Sequence, residues 1–317
     1  MSAFLERLGV ELPVVQAGMG GGISRHELAA AVSEAGGLGT IGTVDPPDLQ
    51  RELDAARALT GKPIAVNLLL PFAGPGLWSV ARQADVVVTF WGRPVRRTPG
   101  VWLHQCGSLE EALTARAAGA DGVIVQGVEA GGHVRGERPA RELLEQVRAK
   151  TGPDYAVLLA GGIAEAGDVR EAIDAGADAA VLGTRFVMTE ECSARPAYKQ
   201  RLMESRETVL TQLFCVGWPS ARQRVLWNEA CERWLDTDGR EPAWVRTMQS
   251  ALSLLPQKAL EPLIPLQRPE LPLFSPYAPA AGLPNNLLDT GALYAGESVA
   301  RLHDVRPAGE ITRELAG

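Results

Sequence analysis

Eight residues, Gln126-Gly127-Val128-Glu129-Ala130-Gly131-Gly132-His133, place an amide, two adjacent glycines and an imidazole at the end of an apolar run that begins at Asp121. A short β-branched run bounded by glycines predicts a buried parallel strand, which puts its polar end at the strand's C-terminal mouth. Gly131 and Gly132 let a backbone approach a flat ligand with no Cβ in the way. Histidine exchanges its proton most easily near neutral pH, so His133 is the candidate catalytic residue. A glycine-rich turn carrying a surface histidine would have the same letters, and four other stretches weigh against that reading.

Gln16-Ala17-Gly18-Met19-Gly20-Gly21-Gly22 follows the first predicted strand with residues small enough for peptide groups to meet a ring edge-on. Asn67 is a lone amide inside Ile64-Ala-Val-Asn-Leu-Leu-Leu70, and a polar side chain in a buried strand must find a partner, structural or bound. Gly161-Gly162 and Gly183-Thr184 end the seventh and eighth predicted strands, each ahead of a helix. In a barrel of alternating strands and helices that pair of turns is where a phosphate group is expected, with backbone N–H groups and the Thr184 hydroxyl as donors. Trp91 and Arg93, after the fourth strand, read equally well as pocket walls or as a core indole and a solvated cation. His104 is a weaker candidate near the fifth strand's mouth; His26 reads as solvent-facing on a helix, and His303 lies in the tail. The match Gly37-Leu-Gly39-Thr-Ile-Gly42 to a dinucleotide fingerprint lacks the helix that must follow it directly.

These residues need a scaffold. The predicted strands are Pro13 to Ala17, Gly37 to Ile41, Pro63 to Leu69, Asp85 to Phe90, Val101 to Cys106, Asp121 to Gln126, Ala156 to Ala160 and Ala179 to Leu182. Helical segments alternate with them: Ser24 is read as the cap of His26 to Ala35, Asp45-Pro46 as the opening of a helix to Leu59, and Ser108 with Glu111 as a capping box for Leu109 to Ala118. The near copies Ala118-Gly-Ala-Asp-Gly122 and Ala175-Gly-Ala-Asp-Ala179 repeat one helix-to-strand junction. Together these predict an α/β fold, a (β/α)8 TIM barrel, with a C-terminal extension that is mostly helical or irregular. Only eight residues, Arg93 to Gly100, lie between Gly92, just past strand four, and Val101 of strand five, too few for a helical crossover, so a truncated connection is expected there.

The expected organisation is a barrel over residues 1–192 completed by 285–317, with 193–284 as a helical and proline-rich insertion or cap. Ser193 to about Leu255 reads as helical. Pro256 to Pro284 carries eight prolines, too many for regular structure, and its aromatic and apolar punctuation suggests a segment wrapped on the surface near the barrel mouth. The chain has 317 residues, 46% hydrophobic and 22% charged, ordinary for a globular protein. A net charge of −7 offers no basic face for nucleic acid or an anionic membrane, which leaves small-molecule chemistry. With no signal-like N-terminus, no long apolar run and four cysteines outside any zinc spacing, a cytoplasmic protein with reduced thiols is expected. Oligomeric state is left open.

Taken together, Gln16 to Gly22, Asn67, Gln126 to His133, Gly161-Gly162 and Gly183-Thr184-Arg185-Phe186 resemble the nitronate monooxygenases, FMN-dependent (β/α)8 barrels once called 2-nitropropane dioxygenases. Leu293-Tyr-Ala-Gly-Glu-Ser-Val299 and Arg306-Pro-Ala-Gly-Glu-Ile311 also look like that family's C-terminal motif. The resemblance implies that Ala17, Gly18 and Met19 line the flavin ring and that Asn67 and Gln126 hydrogen-bond it. Gly131, Gly162, Gly183 and Thr184 would hold the ribityl phosphate, with Gly132 and Gly161 beside them in the cofactor site. His133 would take the α-proton of a nitroalkane or steady the nitronate anion, which yields a carbonyl compound and nitrite with O2. The same flavin motifs, including the Gly-Gly-His, also resemble the FMN-dependent enoyl-ACP reductases, which use NAD(P)H, as a runner-up reading, and a flavin-binding barrel without turnover is a third.

Overall fold

A computed structural model describes residues 2–218, 221–252 and 261–317. Eleven strands are assigned among them: β1 Val14–Gln16, β2 Gly39–Ile41, β3 Ile64–Leu69, β4 Val86–Phe90, β5 Val101–Cys106, β6 Gly122–Gln126, β7 Gly132–His133, β8 Ala156–Ala160, β9 Ala179–Leu182, β10 Val209–Thr211 and β11 Gln223–Val225. Eight of these form one parallel sheet in the order β1-β9-β8-β6-β5-β4-β3-β2. A parallel bridge between Val15 and Leu38 joins its two edges, so the sheet closes into the expected (β/α)8 barrel.

Alternation along the strands sorts the core into layers. Val15, Leu38, Ala65, Val88, Leu103, Ile124, Leu158 and Val181 pack into one another inside the barrel, and Phe4 and Leu5 of the helix Ala3–Leu8 join them beside the strand starts. The residues between them, such as Val123, Val157 and Ala180, face the helices instead. The terminal helix Ala308–Ala316 packs against both His26–Glu34 and Ala166–Asp174, and so completes the helical ring.

One device sets the register three times. Asp121 accepts from the Trp102 amide (2.9 Å) while its own amide donates to the Trp102 carbonyl (2.9 Å). Asp178 does the same with Val157 (2.8 Å each way), and Asp85 with Ile64 (2.9 and 3.2 Å). The echoed Ala-Gly-Ala-Asp sequence is therefore a staple between each strand start and its neighbour, and Asp85 is a third copy that the sequence repeat did not reveal.

The truncated crossover is real: β4 and β5 pair in full register with no helix assigned between them. Arginines hold the loop in place of a helix. Arg96 donates to the Gly119 and Gly100 carbonyls and pairs with Asp121, and Arg82 donates to the Arg97 carbonyl.

Three local expectations are corrected. Ser24 does not cap its helix; its hydroxyl bonds the Met19 amide and carbonyl (2.9 and 3.1 Å), tying the loop after β1, while Glu52 accepts from the His26 amide (2.9 Å). Glu111 reaches the Gly107 amide (2.8 Å) rather than that of Ser108, although Ser108 itself does cap Glu111. The stretch from Ser193 is not continuously helical. Helices Pro196–Glu204, Glu229–Trp234 and Ala243–Leu252 flank β10 and β11, which pair antiparallel with each other and with β7 as a separate three-stranded sheet. The remainder of that expectation, and the start of the proline-rich stretch, fall at 253–260, outside the described residues. Further on, the Pro279 carbonyl accepts from the Arg195 amide, and Tyr277 lies beside Gly21 in the loop after β1.

If the aspartate staple fixes register, Asp178→Ala, which also removes the pair with Arg148, should cost about 1–3 kcal/mol in urea unfolding. A loss below about 0.5 kcal/mol, the scale of a plain surface change, would contradict it.

Candidate active site

The five stretches singled out in the sequence converge at the C-terminal ends of the barrel strands. Gly18 lies so close to Asn67 that an added Cβ would fall on the asparagine's own Cβ. Asn67 is buried, donates weakly to the Val88 carbonyl (3.4 Å) and receives the Thr43 hydroxyl at the same distance, which leaves its amide with spare donor capacity. Beside it the Thr40 hydroxyl is buried without a hydrogen-bond partner among the described residues. A Cβ on Gly183 would stand 3.9 Å from the Cβ of Ala17, so the turn after β9 meets the loop after β1. Gly161 and Gly162 hold φ of 123° and 75°, a region that only glycine enters freely.

The His133 loop is sewn down from three sides. The buried Gln126 amide donates to the His133 carbonyl (2.9 Å) and accepts from the Arg135 amide (3.0 Å), so one N–H of that side chain remains uncommitted. Residues 293–297 then cross over the glycines. A Cβ on Gly131 would lie 2.5 Å from the Gly296 nitrogen, and one on Gly296 would lie 3.0 Å from the Gly131 nitrogen. Thr184 accepts from the Gly296 amide (2.9 Å), and the Glu297 amide donates to the Glu129 carbonyl (3.0 Å). The third clamp is β11, which pairs Gln223 with His133 and Arg224 with Gly132.

Around the imidazole stand residues that reach it from far along the chain. Trp218 stacks on it (centroids 4.0 Å, 28° between planes), and Tyr294 and Trp91 lie at 5.4 and 6.1 Å. The Gln223 side-chain nitrogen is 3.3 Å from His133 Nε2. Trp91, singled out after strand four, does line the site, and its φ of 62° is unusual for a bulky side chain. The Arg135 guanidinium sits 4.9 Å over its ring. Arg93 is exposed. Trp218 and Gln223 were missed as site residues; Tyr294 sits in the C-terminal motif already noted. Packing by these uncharged groups desolvates the imidazole and pushes its pKa down to about 3, so it stays neutral at physiological pH.

The other histidines lie elsewhere. His104 is buried on the outward face of β5 with Trp102 and Cys106, its Nδ1 2.8 Å from the Thr89 hydroxyl. His26 is half-buried rather than solvent-facing, because its Nδ1 meets Glu52 at 2.6 Å, and His303 is exposed. The two turns expected to hold a phosphate are not equivalent. At the helix Ala166–Asp174, Asp168 already accepts from the Ala164 and Glu165 amides (2.7 and 3.0 Å), so the Gly183-Thr184 side is the freer one.

A closed barrel whose strand ends gather glycine turns, two buried amides and one neutral imidazole defines a (β/α)8-barrel enzyme. The family profile described as nitronate monooxygenase matches residues 2–91 and 96–317, and the chain belongs to that family of oxidoreductases. The gap in the match lies within the shortened crossover. A nitronate monooxygenase of Pseudomonas aeruginosa is 34% identical, over 66% of this chain and 76% of the relative. Among solved structures, FabK from Thermotoga maritima is similar at a TM-score of 0.78 and 26% identity, covering 99% of this chain and 94% of that one. Nitroalkane oxidase from Streptomyces ansochromogenes is similar at 0.75 and 28%, covering 99% and 97%.

The buried His104 gives a pH prediction. Desolvation, with Arg135 nearby, lowers its pKa to about 4, whereas the unfolded chain titrates near 6.5. The unfolded state then binds more protons, so this contribution to stability is complete above about pH 6.5 and is lost as pH falls toward about 4, by up to about 1.4 kcal/mol per unit. Urea unfolding between about pH 7 and pH 5 should show that slope added to the one His133 contributes through its own lowered pKa, and His104→Gln should remove about half of the total. An equally steep slope in the variant would contradict the assignment.

Proposed function

We propose that this protein is an FMN-dependent monooxygenase that converts alkyl nitronates and O2 into carbonyl compounds and nitrite. The observation that carries the reading is His133: a neutral imidazole walled by Trp91, Trp218 and Tyr294, its pKa lowered by burial. Such a group protonates poorly but donates a hydrogen bond well, and a desolvated donor is worth most to an anion. A nitronate is that anion. Of the two roles implied for His133, steadying the anion therefore suits it better than abstracting a proton from a neutral nitroalkane.

The residues fit a flavin. Gly18, barred from a side chain by Asn67, leaves a flat floor with Ala17 and Met19. The buried, unpartnered Thr40 hydroxyl and the spare Asn67 and Gln126 N–H groups are polar edges of the kind a heteroaromatic ring satisfies. Gly162, Gly183 and Thr184 would hold the phosphate, with Gly131, Gly132 and Gly161 shaping the turns. Bound there, FMN would supply the electron acceptor. His133 would hold the nitronate's charged oxygens, and the indoles would keep water from its carbon.

The likeness to FabK supports a second reading, an enoyl-thioester reductase fed by NAD(P)H. The two are separable. Purified yellow protein given a preformed alkyl nitronate in air, with no coenzyme, should consume O2 and release nitrite. NAD(P)H oxidation that depends on an enoyl thioester, without nitrite from a nitronate, would establish the second reading instead. His133→Ala should keep the flavin and lower kcat/KM for the nitronate by roughly 10- to 100-fold, the loss of one charge-directed hydrogen bond. A change below about threefold would remove His133 from the reaction.

A further inference from the structure

We infer that Gln223 is a positioning residue that fixes which nitrogen of His133 carries the proton, so that the ring offers Nδ1–H to an anion. Only the naming of that anion as a nitronate rests on the function proposed above.

The argument begins with register. Gln223 and His133 are Cα partners in the antiparallel pairing of β11 with β7, so their side chains leave the ladder on the same face. Gln223 is fully buried, and its side-chain nitrogen donates to the Phe214 carbonyl at 2.8 Å. That bond decides which end of the amide is nitrogen, because an oxygen there would face another carbonyl oxygen. The second N–H of the same nitrogen has His133 Nε2 at 3.3 Å as its nearer acceptor, ahead of the weakly accepting Cys215 sulfur at 4.0 Å. A donor at Nε2 requires a lone pair there, and a neutral imidazole with its lone pair on Nε2 has its proton on Nδ1.

Two further observations agree. The Gln223 oxygen is buried without a hydrogen-bond partner among the described residues, so turning the amide over would cost the Phe214 bond and give its nitrogen no acceptor among them in exchange. An imidazolium would set an Nε2–H against the glutamine N–H, so the contact is made with the neutral ring. Nδ1 has no hydrogen-bond partner among the described residues, whereas Nε2 has one. Trp218, stacked on the ring, fixes its plane.

The test reads the protons directly. Long-range proton–nitrogen correlation spectra of protein carrying nitrogen-15 histidine distinguish the two tautomers, and with four histidines in the chain, His133→Gln identifies the signal. At neutral pH the wild type should show a protonated Nδ1 and a bare Nε2. Gln223→Met should lose that preference, and Gln223→Glu, which offers a charged acceptor, should move the proton onto Nε2. A wild-type His133 protonated on Nε2 overturns the inference. So does an unchanged tautomer in a folded Gln223→Met or Gln223→Glu protein, the outcome a merely structural glutamine would give. The spectra need no substrate: the expected tautomer in a protein that releases no nitrite would defeat the proposed activity and leave the role of Gln223 standing.

Discussion

Everything at the barrel mouth depends on a contact that has no room for a side chain. Gly131 and Gly296 lie back to back, and Thr184 takes the Gly296 amide from the other side. Three stretches more than 50 residues apart in the chain therefore meet at one point: the loop after β6, the turn after β9 and the C-terminal crossing segment. The junction holds the imidazole near the glycine turns. Bulk at any of its three members would push the loop carrying His133 off the strand ends. The aspartate staples and closed sheet serve the same end, since a one-residue slip of β6 would move Gln126 and the loop it pins to the wrong face.

The electrostatics follow from this geometry. Once the crossing segment and the small sheet enclose His133, its neighbours are two indoles, a phenol and an amide. Packed against these uncharged groups, the half-buried ring favours its neutral form. A site of this kind favours a substrate that arrives with its own negative charge. That is how a family resemblance and a local pKa come to favour the same reading.

Much of this was legible in the letters. All eight barrel strands were readable because each is a short apolar run bounded by turn residues, and the Ala-Gly-Ala-Asp echo marked two of the three register staples. The short link after Phe90 announced the missing helix by arithmetic alone. Gly39 and Gly42, which imitate a dinucleotide fingerprint, are glycines for packing: side chains there would strike the carbonyls of Ala29 and Met19. What stayed hidden was non-local. β10 and β11 have three residues each, too short for any period to register, and the partner of Gln223 lies 90 positions away. Trp218 lies in a segment read as helical, and nothing local said that it would stack on a histidine. The caps misread at Ser24 and Glu111 failed for a local reason instead: each side chain took backbone groups four or five positions back, at Met19 and Gly107, in place of the expected one.

The most direct test of the central contact is a flavin titration of Gly131→Ala against the wild type. Gly131 is not among the glycines with positive φ, so a methyl group there meets the Gly296 nitrogen rather than backbone strain. Quenching of FMN fluorescence should report a dissociation constant raised by at least about tenfold, or about 1.4 kcal/mol. An unchanged constant in a folded variant would mean that the junction does not shape the flavin site.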